Sequence, residues 1–211
     1  MSKLFLVIED HPVVRRGLEQ ILSAAFPDAR FGEASNAAAA LDLAARDRWD
    51  LVLLDLNLPG RDGLSLLEEL RRRHPSMPVL VLSVYPEEEF ALRCLRLGAA
   101  GYVTKGSAPD ELAAAVKKVL TGASYVTAAM AENLAASARG DLSQRPHEAL
   151  SHREMQVLRL VATGRSQKQV AGELHLSEKT VATYRARIAA KLRISTSVEL
   201  TRYALRHRLV D

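Results

Sequence analysis

The sequence predicts two folds in series. The first half reads as a doubly wound α/β domain around a five-stranded parallel sheet. The C-terminal quarter reads as a small all-α domain containing a helix-turn-helix. Three observations carry this. Short apolar runs alternate with amphipathic stretches as far as residue 121, the pattern of strands covered on both faces by helices. From Leu150 onward only helical periodicity remains. Between the two, Ser137-Ala138-Arg139-Gly140-Asp141-Leu142-Ser143-Gln144-Arg145-Pro146 carries breakers and little apolar content, as a linker does.

Taken in order, strands are expected at 3–9, 29–34, 50–55, 78–83 and 101–104. Helices are expected near 12–25, 36–46, 62–73, 87–97 and 108–121. Asp55-Leu56-Asn57-Leu58-Pro59-Gly60-Arg61-Asp62-Gly63 is a loop marked by Pro-Gly and Asp-Gly, with Asp62 placed to cap the next helix. Residues 127–138 are Ala-rich and fit one more helix, and 138–147 fit a flexible segment. Ser151-His152-Arg153-Glu154 and Ser166-Gln167-Lys168-Gln169 have capping-box spacing, and Gly164 ends the first C-terminal helix. The second helix, near 166–174, buries Val170, Ala171 and Leu174. His175-Leu176-Ser177 is a tight connection with Ser177 as N-cap. The third helix, near 178–191, buries Val181, Ile188 and Leu192. A fourth, near 196–207, completes the bundle and offers Val198, Leu200, Ala204 and Leu205 as surplus apolar surface. Two short helices joined by a tight turn, the second rich in basic and hydroxyl groups, form a DNA-binding helix-turn-helix.

Composition narrows the function. At 48% hydrophobic residues the chain can build a proper core. No apolar run approaches the roughly 18–20 residues of a membrane span, and Leu4–Ile8 is too short for a signal peptide. A cytoplasmic protein without membrane contact is expected. Cys94 is the only cysteine, so no internal disulfide forms, and it reads as a small buried residue on a helix. Net charge is +4 but uneven: residues 148–211 carry a balance of +6 and residues 1–147 a balance of −2. A basic C-terminal segment points to a polyanion such as duplex DNA.

The chemistry lies at the strand ends. Glu9 and Asp10 follow Leu4–Ile8, Asp55 follows Leu51–Leu54, Ser83 follows Val79–Leu82, and Lys105 follows Gly101–Thr104. In an open parallel sheet the carboxyl ends of the strands line one crevice. Three carboxylates there repel unless a hard cation such as Mg²⁺ joins them. Asp55 is the best-placed nucleophile, able to take a phosphoryl group as an acyl phosphate. Mg²⁺ held by Asp10 and Asp55, with Glu9 further out, shields the phosphoryl oxygens. Lys105 adds a second positive charge and Ser83 a hydrogen bond. A phosphohydrolase using the same nucleophile needs a general acid nearby, but the residue two places on is Asn57. No enzyme is expected.

On these motifs residues 1–124 resemble the receiver domain of a two-component response regulator, a flavodoxin-like fold. Residues 125–147 then form a linker of helix followed by flexible segment. Residues 148–211 resemble a LuxR-type helix-turn-helix, so the whole is similar to the NarL/FixJ family. The motifs are Glu-Asp-His-Pro at 9–12, the loop 55–63, Gly-Tyr-Val-Thr-Lys at 101–105, Leu-Ser-His-Arg-Glu at 150–154, Lys179-Thr180-Val181 and Lys191-Leu192. The resemblance implies metal binding by Glu9, Asp10, Asp55 and the Asn57 backbone carbonyl. It implies Asp55 as phosphoacceptor from a sensor histidine kinase, Lys105 as the partner of the phosphate, and Ser83 and Tyr102 as a coupled switch. Phosphorylation is expected to produce a homodimer, paired through the fourth helix, that binds promoter DNA.

Two departures matter. The first acid is Glu rather than the commoner Asp. The positions that usually reach base edges fall on Ala182, Thr183 and Ala186, two of which cannot hydrogen-bond through a side chain. Readout there falls to thymine methyls or to DNA shape. The phosphate-gripping set, Lys179, Thr180, Tyr184, Arg187 and Lys191, is intact. The other reading of the chain is a DNA-binding regulator whose receiver ignores phosphate and only dimerises. Among the remaining residues, His11 reads as a helix-start residue, Trp49 as core or a helix–strand junction, and Glu87-Glu88-Glu89 as favouring a helix N-terminus through its dipole.

Overall fold

A computed structural model describes residues 2–59, 62–138, 146–207 and 209–210. The chain divides into two compact units, Met1–Leu142 and Ser143–Asp211. In the first, five strands alternate with five helices: β1 (Leu4–Ile8), α1 (Pro12–Ala25), β2 (Arg30–Ala34), α2 (Ala37–Arg46), β3 (Leu51–Asp55), α3 (Gly63–Arg73), β4 (Val79–Ser83), α4 (Glu87–Arg96), β5 (Gly101–Thr104) and α5 (Pro109–Leu120). All pairings are parallel, in the order β2-β1-β3-β4-β5. Every residue of the central strands β3 and β4 is buried, as strands covered on both faces must be. One face is a core of Phe5, Val7, Leu51, Leu53, Leu80, Leu82 and Val103 under α1 and α5, which contribute Leu22, Leu112 and Val116.

The register matters most at the strand ends. Ile8 pairs with Leu54, Asp55 with Leu82, and Ser83 with Thr104. The residues just past these pairs therefore share one rim of the sheet. The order reverses between β1 and β3, and the rim crevice beside that switch point is where ligands bind in such sheets.

Local signals behave as expected. Asn36 and Asp62 accept from backbone N–H groups at the starts of α2 and α3. Trp49 is buried, donates to the Leu43 carbonyl, and packs on Gly32, where any Cβ would collide with its ring. Cys94 is fully buried on α4, and burial pushes its thiol up to about 12.

A sixth helix, α6 (Ala128–Ala138), packs against α4. The chain before it is tied to the same unit. Tyr125 N donates to Ala100 O at 2.8 Å, Tyr125 bridges to Gly101 as an extra parallel partner of β5, and Thr127 Oγ1 donates to Glu87 at 2.8 Å. Glu87 is thus engaged by a partner as well as by the helix dipole. The flexible segment expected at 138–147 falls mostly outside the described residues.

The second unit contains a short 3₁₀ turn (Pro146–Ala149), then α7 (His152–Ala162), α8 (Gln167–Glu173), α9 (Glu178–Leu192) and α10 (Ser197–Arg206). Both expected capping boxes form, at Ser151/Glu154 and Ser166/Gln169, and Thr196/Glu199 adds a third. Ser177 caps α9. Gly164 leaves α7 in the left-handed region, and His175 turns the chain between α8 and α9 at φ 53°. Val170, Ala171, Val181, Ile188 and Leu192 are buried as expected, with Leu150, Val157 and Leu158, while Leu174 is half-buried.

Candidate functional site

Strand ends position the first site. Burial of β1 and β3 holds Glu9 and Asp55 at the rim, and both carboxylates are buried. Lys105, one residue past β5, is anchored by its backbone N–H to Ser83 O at 2.7 Å. Its ammonium reaches across β4 to Glu9 Oε2 at 2.5 Å and Asp55 Oδ2 at 2.9 Å. Asn57 N–H donates to Asp55 Oδ1 at 3.0 Å, folding the loop back over the carboxylate. Glu9, Asp55, Ser83 and Lys105 thus gather as the sequence implied.

Burial raises the Asp55 carboxyl above the ordinary carboxylate range; Glu9 pushes the same way, while Lys105 and the Asn57 N–H oppose. Burial works against the Lys105 charge, but Asp55 and Glu9 hold its ammonium above the usual lysine range. A more basic, dry carboxylate facing a fixed ammonium suits attack on an electrophile whose oxygens carry negative charge.

The acids group differently from expectation. Among the described residues, Glu9, Asp10 and His11 place ligand atoms within 4.8 Å of one another, and Asp55 is not in that set. Lys105 lies against both Glu9 and Asp55, so the lysine neutralises the pair. His11 is also more than a helix start: Nδ1 lies 2.7 Å from Asp10 Oδ1 and 3.1 Å from Glu9 Oε1. Asp10 Oδ1, Asp55 Oδ2 and Asn57 Oδ1 are buried and accept no aligned hydrogen bond. Asp10 Oδ1 faces the His11 ring and Asp55 Oδ2 the Lys105 ammonium. Carboxylate oxygens gathered this way are the ligands a hard cation takes, so the donor set fits Mg²⁺.

Ser83 and Tyr102 are linked through Tyr85. Ser83 Oγ accepts from Tyr85 N–H at 3.2 Å. Tyr102 is fully buried, and its hydroxyl donates to Tyr85 O at 3.0 Å. The Tyr85 ring in turn meets Phe90 of α4, with centroids 5.3 Å apart.

The second site is the outward face of α9. Lys179, Ala182, Thr183, Ala186 and Arg187 are exposed, while Thr180 and Tyr184 are half-buried at the edge. Lys191 behaves otherwise. Its ammonium pairs with Glu154 at 2.6 Å and donates to Ala149 O at 3.0 Å. Lys191 therefore ties α9 to the capping box of α7. On α10, Leu200 and Ala204 belong to the core of the unit, while Val198 (69% exposed) and Leu205 (51%) face outward.

Comparison with known proteins matches both units. Residues 5–117 match the response regulator receiver domain and residues 148–204 the luxR family of bacterial regulatory proteins. The chain is a NarL/FixJ-family response regulator. This response regulator is 37% identical to the response regulator GacA of Pseudomonas aeruginosa over 207 residues, covering 98% of this chain and 97% of that one. It is 34% identical to UvrY of Escherichia coli over 207 residues, covering 98% and 95%. Among solved structures it resembles RcsB of Salmonella enterica serovar Typhimurium bound to promoter rprA with the phosphomimetic BeF₃⁻. That match has a TM-score of 0.58 and 26% identity, covering 96% of this chain and 98% of that one. Among the described residues no helix is long and apolar enough to cross a membrane.

Proposed function

We propose that the regulator accepts a phosphoryl group on Asp55 from a sensor histidine kinase, dimerises, and binds promoter DNA through α9. The carrying observation is the buried Asp55 carboxylate with raised basicity, 2.9 Å from the Lys105 ammonium at the rim of the sheet. An Asp55 oxygen attacks the phosphorus of a phosphohistidine. The P–N bond breaks, the acyl phosphate P–O bond forms, and the imidazole leaves with the electron pair and takes up a proton. Lys105 exchanges its Asp55 contact for a phosphoryl oxygen. Ser83 Oγ turns from Tyr85 N–H to another such oxygen. Glu9, Asp10, Asp55 and the Asn57 carbonyl would hold Mg²⁺, which would supply positive charge to neutralise phosphoryl oxygens.

Because Tyr102 is already buried, the switch works through the Ser83–Tyr85–Tyr102 linkage and Phe90 on α4. In this reading the receiver spans 1–124, the linker 125–147 and the DNA-binding domain 148–211. The protein is a cytoplasmic phosphoacceptor rather than an enzyme. Lys179, Thr180, Tyr184 and Arg187 grip phosphates while Ala182, Thr183 and Ala186 face the bases. Val198 and Leu205 form the centre of the dimer contact, since Leu200 and Ala204 are committed to the core. A complete acceptor set favours this over a receiver blind to phosphate. Intact mass after acetyl phosphate and Mg²⁺ tests it: wild type gains one phosphoryl group and Asp55→Asn gains none. Equal labelling of both removes Asp55 from the role.

A further inference from the structure

We infer that α9 reads its DNA through the 5-methyl groups of thymine and not through hydrogen bonds to guanine. The inference rests on the DNA-binding reading above and follows from the donors on the central turns of the helix, from Thr180 onward. Val181, Ile188 and Leu192 are buried. At 3.6 residues per turn, the positions opposite them are Lys179, Thr183, Ala186 and Ala190, all exposed. This is the part of the helix that enters deepest when a recognition helix docks in the major groove.

Past Lys179 on the first turn, that central face has no free donor. Thr183 Oγ1 donates its single hydrogen to Lys179 O at 3.0 Å, so it offers the groove only a methyl and an acceptor. Ala186 and Ala190 offer methyls. The remaining donors are tied down or sit at the edges. Thr180 Oγ1 is 2.8 Å from Ser177 Oγ. Arg185 donates to Ser197 Oγ at 2.8 Å. Lys191 is held by Glu154 and Ala149 O. Arg187 lies at the rim of the exposed face, Tyr184 is half-buried at its edge, and Lys179 stands on the first turn, so the central turns beyond it present no free donor to the bases.

Guanine shows the major groove only acceptors, N7 and O6, and so needs a donor from the protein. Thymine shows a methyl, which apolar side chains contact. A face of methyls with its one hydroxyl proton spent therefore matches A·T pairs at the centre of the half-site. The charged ends supply affinity without sequence information.

The test uses the full-length protein with Mg²⁺ and beryllofluoride, and duplexes enriched from a random pool by binding to it. Each thymine of the enriched half-site is then replaced by deoxyuridine, which removes the methyl alone. Affinity is expected to fall about fourfold at each central thymine, the factor that corresponds to about 0.8 kcal/mol for one buried carbon. Thr183→Val should keep the thymine preference and Thr183→Ser should weaken it, because the methyl and not the hydroxyl is read. An enriched site with obligatory central guanines overturns the inference. So does uridine substitution without effect where base preference persists, which assigns readout to DNA shape. Absence of any salt-dependent duplex binding overturns the DNA-binding reading itself, and the inference with it.

Discussion

Lys191 offers a sharp test of what holds the DNA-binding unit together. Its ammonium is 2.6 Å from Glu154, whose side chain is 3% exposed, while Lys191 itself is 39% exposed. The same Glu154 oxygen accepts the Ser151 N–H at 2.6 Å to complete the capping box. Lys191→Met keeps most of the aliphatic stem but leaves a buried carboxylate with one partner. Breaking a fully buried pair costs about 3–5 kcal/mol, and an exposed pair contributes about 0–1 kcal/mol. With water reaching the lysine end only, the expected loss is about 2 kcal/mol. For a domain of this size that lowers the melting temperature by about 8–16 °C. The readout is the melting transition of the helical unit in the full-length protein, followed by far-UV circular dichroism. Adding Glu154→Gln to Lys191→Met should restore much of the loss, because the unpaired charge is gone, and a double-mutant cycle isolates the coupling. The salt dependence of DNA binding should keep its slope in Lys191→Met, whereas Lys179→Ala should lower it by about one. If Lys191→Met melts like wild type and loses one unit of salt slope, the lysine is a phosphate contact and the reasoning from its ion pair fails.

The acceptor site makes stability depend on pH in metal-free buffer. The folded Asp55 carboxyl lies above its unfolded value, so the folded state holds a proton that the unfolded state has released, and stability falls as pH rises from the ordinary carboxylate range to the folded value. Lys105, raised by Asp55 and Glu9 despite its burial, contributes stability below the usual lysine range that is lost above it. Asp55→Asn should flatten the acid-side slope, and a variant titrating like wild type in urea melts would contradict this. Asp10→Ala, or excess chelator, should abolish phosphorylation by acetyl phosphate; labelling at the wild-type rate removes the metal from the reaction. Val198→Glu with Leu205→Glu should leave phosphorylation intact but keep the protein monomeric in light scattering with beryllofluoride. Its affinity for a two-fold site should fall about a hundredfold, the low end of what linking two modules confers, and dimerisation as in wild type would move the contact elsewhere. Cys94 should resist Ellman's reagent until the receiver unfolds, since its buried thiol is pushed up to about 12.

The sequence by itself determined the features that are local. Apolar runs set β1, β3 and β4, because strands covered on both faces must be continuously apolar, whereas the edge strand β2 (Arg30–Ala34) is polar at Arg30 and Glu33 and largely unburied. Ser151, Ser166 and Ser177 marked helix starts because a cap and its partner lie within four residues. The Thr196-x-x-Glu199 box carries the same signature and was equally legible. The polar residue after each run was enough to place Glu9, Asp55, Ser83 and Lys105 on one rim, since parallel strands align their carboxyl ends. Tertiary structure decided which partner each charged or apolar group took. Lys105 and Glu9 are 96 residues apart and Lys191 and Glu154 are 37 apart, and no sequence period links them. Leu200 and Ala204 look as available as Val198 and Leu205 until α7 packs on α10 and takes the first pair. Tyr125 and Thr127 read as linker until Ala100 and Glu87 claim them. Periodicity names the faces of a helix or strand, whereas burial and pairing depend on what the rest of the chain brings against each face.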